Sequence, residues 1–325
     1  MKAIVNERYG SPDVMQLREV AKPAPGDSEV LIQVVAAGLN AADWHLLRAD
    51  PFFVRFSHGL LRPRVRVLGA DVAGRVAAVG RTVTRFRPGD AVCVDLSANG
   101  FGGLAEYAVA PEALLVPKPG NLSFAQAAAV PLAAVTALQA LRDVGQIRPG
   151  MKVLINGASG GVGTFAVQIA RALGAEVTAV TSTTKLEMAR ALGANHVIDY
   201  TKEDFSRNGQ AYDLILAANG NRSLDDYERA LAANGGLVVA GGAMAQVFRT
   251  MLFGGRRSRR SGKTYRHCMA RPNQADLLFV TELIAAGQVS PVIDRCYPLA
   301  EAAEAMRYLE AGHARGKIIV TVAEA

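Results

Sequence analysis

Over the first 120 residues the hydrophobic positions fall in short runs, KAIVNE, EVLIQVVAAGLN, VAGRVAAVG, DAVCVDL and LAEYAVAP, each broken by Gly, Pro or Asp. Runs of this length between turn residues predict strands, and their density predicts a compact barrel-like domain. The texture changes after Pro119-Gly120. Ser123 is placed to cap an Ala-rich helical segment reaching Leu141, which sets a domain boundary near residue 122. From Lys152, strand-length apolar runs alternate with amphipathic segments: VLIN then VGTFAVQIARALG, EVTAV then KLEMARALG, HVIDY, DLILAA then DDYERALAANG, and GLVVAGG. This alternation predicts βαβ crossovers and a doubly wound parallel sheet covered on both faces. Gly174 and Gly193 stand where helices should end. A helix over Gln274 to Ala286 and a last strand over Gly316 to Val322 complete the pattern. That strand is expected to return to the first domain.

The chain has 325 residues, 50% hydrophobic and 20% charged, enough for two domains with substantial cores. Its most apolar window, Ala125 to Leu141, is interrupted by Gln126, Pro131 and Gln139, too mixed to span a bilayer. The start, MKAIVNERYG, has no secretory or transit pattern, so a cytoplasmic location is expected. Cys93, Cys268 and Cys296 are far apart, with no histidine at metal-ligand spacing; disulfides and structural zinc are not expected, and each cysteine reads as a small buried hydrophobe. The net charge of +7 is partly concentrated in RTMLFGGRRSRRSGKTYR, Arg249 to Arg266. This segment reads as a mobile, solvated loop rather than a nucleic-acid or membrane contact.

The strongest chemical signal is VLINGASGGVG, which sets a glycine-rich turn between a buried strand and an amphipathic helix. Such a turn offers backbone N–H groups and a helix N-terminus to a pyrophosphate. Ala158, Ser159, Gly160, Gly161, Val162 and Gly163 form the candidate cradle, with Ala158 in the first position of an AxGxxG fingerprint. An NAD site usually carries an acid at the end of the second strand. Thr181 stands there instead, followed by Ser182, Thr183, Thr184 and Lys185. With hydroxyls and an ammonium to receive a 2′-phosphate, NADPH is the expected cofactor.

These segments, with PGDSEVLIQVVAAGLNAADW, VLGADVAGRVAAVG, RFRPGDAVC, AAAVPLAAVTALQAL, LGANHVIDY and HARGKIIVTV, resemble the medium-chain dehydrogenases/reductases almost end to end. The similarity is to their quinone oxidoreductase, zeta-crystallin and reticulon-interacting-protein group. It implies a GroES-like β-barrel domain over 1–122, completed by 288–325, a Rossmann domain over 123–287, and an active site in the cleft between them. Zinc-containing members carry a ligand cysteine where this chain has Asn40 and a His-Glu pair where it has Ala70-Asp71, and Ser97 to Pro111 lacks the four-cysteine lobe. The resemblance therefore implies a zinc-independent NADPH-dependent oxidoreductase that reduces a quinone or α,β-unsaturated carbonyl. Asn40 is the first candidate donor to the acceptor's carbonyl oxygen, with Asp43 to orient a donor or water and Trp44 and His45 lining a pocket. Tyr107, a conceivable proton donor, reads as core. The resemblance further implies cofactor contacts from Thr136, Tyr200, Gly241, Gly242 and Lys317, and a homodimer paired near Thr264 to Met269. The other class of function left open is an NADPH-binding redox sensor or interaction protein with little turnover.

Overall fold

The structure is a computed structural model and describes residues 1–219, 222–242 and 244–323, so the last two positions of the expected completing segment lie outside it. It divides into two compact units, one made of Met1–Leu132, Pro272–Ala285 and Pro291–Ala325, the other of Ala133–Arg271 and Ala286–Ser290.

The first unit begins with β1 (Lys2–Val5) and β2 (Gln16–Glu19), an antiparallel pair. It continues with β3 (Glu29–Leu39), β4 (Asp71–Val79), β5 (Ala91–Asp95), β6 (Tyr107–Pro111) and β7 (Val116–Pro117). Two helices, α1 (Ala41–Arg48) and α2 (Val54–His58), separate β3 from β4, α3 (Phe124–Ala128) follows β7, and α4 (Pro131–Gln139) starts in this unit and runs into the second. The second unit holds β8 (Lys152–Asn156), β9 (Glu176–Thr181), β10 (His196–Asp199), β11 (Tyr212–Ala217), β12 (Leu231–Val239) and β13 (Thr264–His267). Between them run α5 (Gly161–Ala172), α6 (Leu186–Ala191), α7 (Leu224–Ala230) and α8 (Met244–Ser261). The chain closes with α9 (Gln274–Ala285), β14 (Ile293–Pro298), α10 (Ala302–Glu310) and β15 (Lys317–Thr321) in the first unit.

In the first unit the strands form a seven-stranded sheet in the order β14-β15-β3-β4-β5-β7, with β6 also paired to β3. Long β3 feeds two cores, as its two-sided burial requires. Val30, Ile32 and Val34 pack with Val72, Val92 and Val94, while Ala37 and Leu39 pack with Leu47, Ile318 and Val320. The returning strand is thus β15, antiparallel to β3. Against the expected boundary near residue 122, the division falls at Leu132, because α3 lies on β3 and β4 so closely that a Cβ at Gly38 would meet the Ala128 carbonyl oxygen at 2.2 Å. The helix Gln274–Ala285 also belongs to the first unit. Ser123 caps α3 as its sequence indicates, its hydroxyl accepting from Gln126 N–H at 3.2 Å. The helical segment to Leu141 is not continuous: Pro131, which lacks an N–H, starts a new helix, and a π turn follows over Ala140–Val144.

The second unit's sheet runs β10-β9-β8-β11-β12-β13, every neighbouring pair parallel. Strand order therefore reverses between β8 and β11, the doubly wound arrangement in which ligands bind beyond the carboxyl ends of the strands. Val153, Leu154, Ile155, Leu214, Ile215 and Leu216 are buried without alternation, as central parallel strands are.

Three expectations are corrected. The basic segment Arg249 to Arg266 is no loop but most of α8 followed by β13. Arg, Met, Leu and Gln are good helix formers, and the arginines of the last turn oppose the negative end of the helix dipole. The residues LAANG, read as the end of a helix, open β12. Cys296 is exposed on β14, at the edge of its sheet, whereas Cys93 is buried. Among the described residues no helix is long and apolar enough to cross a membrane.

Candidate functional site

The glycine-rich turn joins the carboxyl end of β8 to α5 and is tied to its neighbours by backbone bonds, Ala158 N–H to Val180 O at 3.2 Å and Gly160 N–H to Gly157 O at 3.3 Å. Its glycines do different work. Gly157 has φ +85°, and a Cβ there would meet Asn219 at 2.6 Å. At Gly163 a Cβ would meet the Gly157 oxygen at 2.0 Å, so this glycine lets the helix approach the strand. At Gly160 the nearest protein atom to a Cβ is 3.8 Å away. The protein's own packing does not require a glycine at that point, where open space lies above the turn. Gly160 caps α5 with no side chain, leaving the N–H groups of Gly161, Val162 and Gly163 at the helix start for an anion. Ala158 and Ser159 are buried in the turn.

The next strand end carries the second feature. Thr181 closes β9, is 2% exposed, and its hydroxyl oxygen is buried with no hydrogen-bond partner among the described residues. A buried hydroxyl is normally satisfied, so an orphan at this edge fits a ligand group. Ser182 and Lys185 are half-buried, and Thr183 and Thr184 exposed, in the turn that follows. Thr183 is not a free donor: its hydroxyl bonds Asp199 Oδ2 at 2.5 Å, and this bond holds the Asp199 carboxyl below its usual range. No acid lies in 181–185, but one from the end of β10 does stand behind them, which their sequence does not reveal. Tyr200 follows Asp199, exposed, with its N–H on Thr181 O at 3.1 Å. Gly241 and Gly242 follow β12. A Cβ on Gly241 would meet Ala218 O at 2.5 Å, and Gly242 has φ +87°. All these candidates thus gather at the carboxyl edge of the same parallel sheet. Thr136 is buried on α4.

In the first unit the catalytic candidates form a buried polar cluster. Asn40 follows β3 and is the N-cap residue of α1. Its Oδ1 accepts from Lys317 Nζ at 2.5 Å, and its Nδ2 donates to Asp71 Oδ2 at 2.9 Å and to Gly38 O at 3.3 Å. Lys317 Nζ also reaches Asp71 Oδ2 at 2.9 Å. Asn40 is 7% exposed and Lys317 2%, while Asp71 is fully buried. Asp71 Oδ1 accepts from Leu132 N–H at 2.8 Å. Asp43, in the first turn of α1, accepts from Asn40 N–H and Gly69 N–H, both at 2.8 Å. Burial pushes its carboxyl up to about 6, against the pull of those two bonds. Opposite Asp71 on β5, burial and then the Asp71 charge push Asp95 up to about 7.

The expectations for Lys317 and Tyr107 are corrected by this geometry. Lys317, expected at the cofactor, is committed to Asn40 and Asp71 inside its own unit. Asn40 has both amide hydrogens engaged, the weaker on Gly38. Trp44 and His45 stack at 3.7 Å, and His45 Nδ1 lies 2.6 Å from Asp50 O. Tyr107 is half-buried on β6 rather than core, its ring under Lys22 Nζ at 3.6 Å. The sequence reading named Asp71 only as the replacement of a metal-ligand position, without a role, and missed Asp95; one opens β4 and the other ends β5.

Zinc does not fit here. Among the described residues no three His, Cys, Asp or Glu side chains are grouped as ligands, and beside Asn40 and Asp71 the cation present is the Lys317 ammonium.

Comparison with known proteins adds the following. The domain described as "Alcohol dehydrogenase GroES-like domain" matches residues 26–120, and "Zinc-binding dehydrogenase" matches 192–320. The chain is 34% identical to the chloroplast envelope quinone oxidoreductase homolog of Arabidopsis thaliana, over 98% of both chains. It is 35% identical to that plant's chloroplastic NADPH-dependent alkenal/one oxidoreductase, over 98% of this chain and 79% of the relative. The quinone oxidoreductase of Coxiella burnetii superposes with a TM-score of 0.88 at 29% identity, over 99% of both chains.

Proposed function

Because the chain belongs to the medium-chain dehydrogenase/reductase superfamily, in its quinone oxidoreductase-like branch, we propose that it is a zinc-independent, NADPH-dependent reductase of quinones or α,β-unsaturated carbonyls. It is an oxidoreductase by its relatives. The observation that carries the finer reading is the cradle at the carboxyl edge of β8 and β9, with open space at Gly160 and the orphaned Thr181 hydroxyl. Gly160 to Gly163 would hold the pyrophosphate. Thr181, Ser182 and Lys185 would receive the 2′-phosphate, with the Tyr200 ring beside them.

The nicotinamide supplies a hydride when bound; the protein's share is to orient the acceptor and stabilise charge on its oxygen. Asn40 is the donor for that oxygen. Its bond to Gly38, at 3.3 Å, is the one to be exchanged for a substrate. Lys317, bonded to the amide oxygen, draws electron density from the amide and strengthens the remaining N–H as a donor. Asp71 and Asp43 fix Asn40 from the other sides and are positioning residues.

β13 ends the six-stranded sheet, so its free edge suits pairing with a second copy; light scattering giving a monomer mass at micromolar concentration would oppose the homodimer. The functional reading is tested by NADPH oxidation across a panel of quinones and enones, alongside NADPH binding by fluorescence. Turnover with at least one acceptor is expected. Binding without turnover on any would overturn the reading in favour of a redox-sensing protein.

A further inference from the structure

Helix α8 is oriented against the usual rule for a surface helix. Its buried stripe is Gln246, Thr250, Gly254 and, half-buried, Ser258, one residue per turn and none of them a large apolar side chain. Gly254 allows the close contact, since a Cβ there would lie 3.0 Å from Tyr265 O. Thr250 and Ser258 satisfy their hydroxyls on carbonyls of their own helix, both at 2.9 Å. Val247 packs against the core of the second unit and Phe248 is half-buried, but Leu252, 72% exposed, and Phe253, 56% exposed, face outward, while exposed Met251 points to another flank of the helix.

Charge flanks this apolar band. One outward row reads Arg249, Leu252, Arg256, Arg259 and the next Arg249, Phe253, Arg256, Arg260, so each apolar residue has arginines on both sides along the axis. The helix contains no Asp or Glu. Nearby acids are already used: Arg257 pairs with Asp225 at 2.5 Å and Glu228 at 2.6 Å. Among the described residues Arg249, Arg256, Arg259 and Arg260 form no ion pair. A groove of about 810 Å³ runs beside the helix, edged by Phe253, Arg256 and Arg260 on one side and Asp225 and Glu228 on the other.

We infer that α8 is a membrane-surface helix, which lays its apolar band into the headgroup region of an anionic bilayer and places lipid phosphates against Arg256 and Arg260. An apolar centre with long cationic side chains at both ends suits the bilayer interface, where the guanidinium groups reach out to the phosphates while Leu252 and Phe253 enter the acyl boundary. A second copy is the wrong occupant, because a symmetric contact would bring four unneutralised arginines against four more. Nucleic acid gives no role to the aliphatic Met251 and Leu252. The inference is independent of the catalytic reading.

The test is co-sedimentation of the full chain with vesicles of phosphatidylcholine alone and with about 30% phosphatidylglycerol. Binding is expected only to the anionic vesicles, weakening as salt is raised. Arg256→Ser with Arg260→Ser should lower the partition coefficient about thirtyfold. Leu252→Ser with Phe253→Ser, at unchanged charge, should lower it at least about tenfold. All four side chains are at the surface, and unchanged thermal midpoints will show that the variants fold. No partition at low salt, equal partition into both vesicle types, or full partition by either variant would overturn the inference. So would tighter binding to a polynucleotide than to the anionic vesicles, or a dimer that the Leu252/Phe253 variant dissolves.

Discussion

At the scale of single residues, the account turns on two side chains whose polar atoms are buried. Thr181 leaves a hydroxyl without a partner in the place where a dinucleotide site that prefers NAD usually has an acid. Thr181→Asp should reverse or erase the preference of NADPH over NADH in steady-state rates; a wild type that already favours NADH would contradict the assignment. In the proposed reaction Asn40 would contribute one donor to a charge that is spread over the acceptor. Asn40→Ala should lower kcat by roughly ten- to a hundredfold, less than the loss of a full oxyanion donor, and leave NADPH affinity nearly unchanged. Normal kcat with a lowered melting temperature would make Asn40 a structural residue. Asn40 was legible because it replaces a metal ligand in a family pattern. Its partners were not: Lys317 lies 277 positions away, and no local pattern announces that its ammonium folds back onto Asn40 and Asp71. The engagement of Thr183 by Asp199 was hidden for the same reason, since it depends on the pairing of β9 with β10.

At the scale of elements, the βαβ alternation was readable because buried parallel strands and amphipathic helices have different periods. The glycine turn shows how much finer the structure is. Gly163 and Gly160 look alike in sequence, yet one faces the Gly157 oxygen and the other open space. Gly163→Ala should therefore destabilise the fold itself, whereas Gly160→Ala should melt normally and bind NADPH at least tenfold more weakly, at a cost of about 1.4 kcal/mol or more. Thermal melts with fluorescence titrations check both, and loss of stability in Gly160→Ala would contradict the distinction. Helix α8 was misread as a loop because its second half, GGRRSRRS, has the glycines, serines and charge of a solvated turn, and its buried face, Gln246, Thr250 and Gly254, is polar and small. The Ala-rich segment failed in the opposite direction: its composition is helical throughout, but Pro131 divides it.

At the scale of the whole molecule, both sheets, the returning strand and the family were legible, while the division at Leu132 was not, because it depends on α3 packing against Gly38. The buried acids of the first unit leave a mark on overall stability. Asp95 titrates at about 7 in the fold against an ordinary 3.8, so between these values the folded chain keeps a proton that the unfolded chain has released. Stability then falls as pH rises through that window. Asp95→Asn removes the penalty and should raise the melting temperature more at pH 8, above the window, than at pH 5, inside it; an equal change at both would contradict the buried-acid picture. Hydride transfer from NADPH without a metal is the central proposal, and it is supported by the Lys317 ammonium, which occupies the place beside Asn40 and Asp71. Its most direct test is NADPH oxidation by an accepted quinone or enone after exhaustive dialysis against a chelator, with metal content measured on the same sample. The account expects full turnover in metal-free protein; activity that is lost with stoichiometric zinc and restored by adding it back would contradict it.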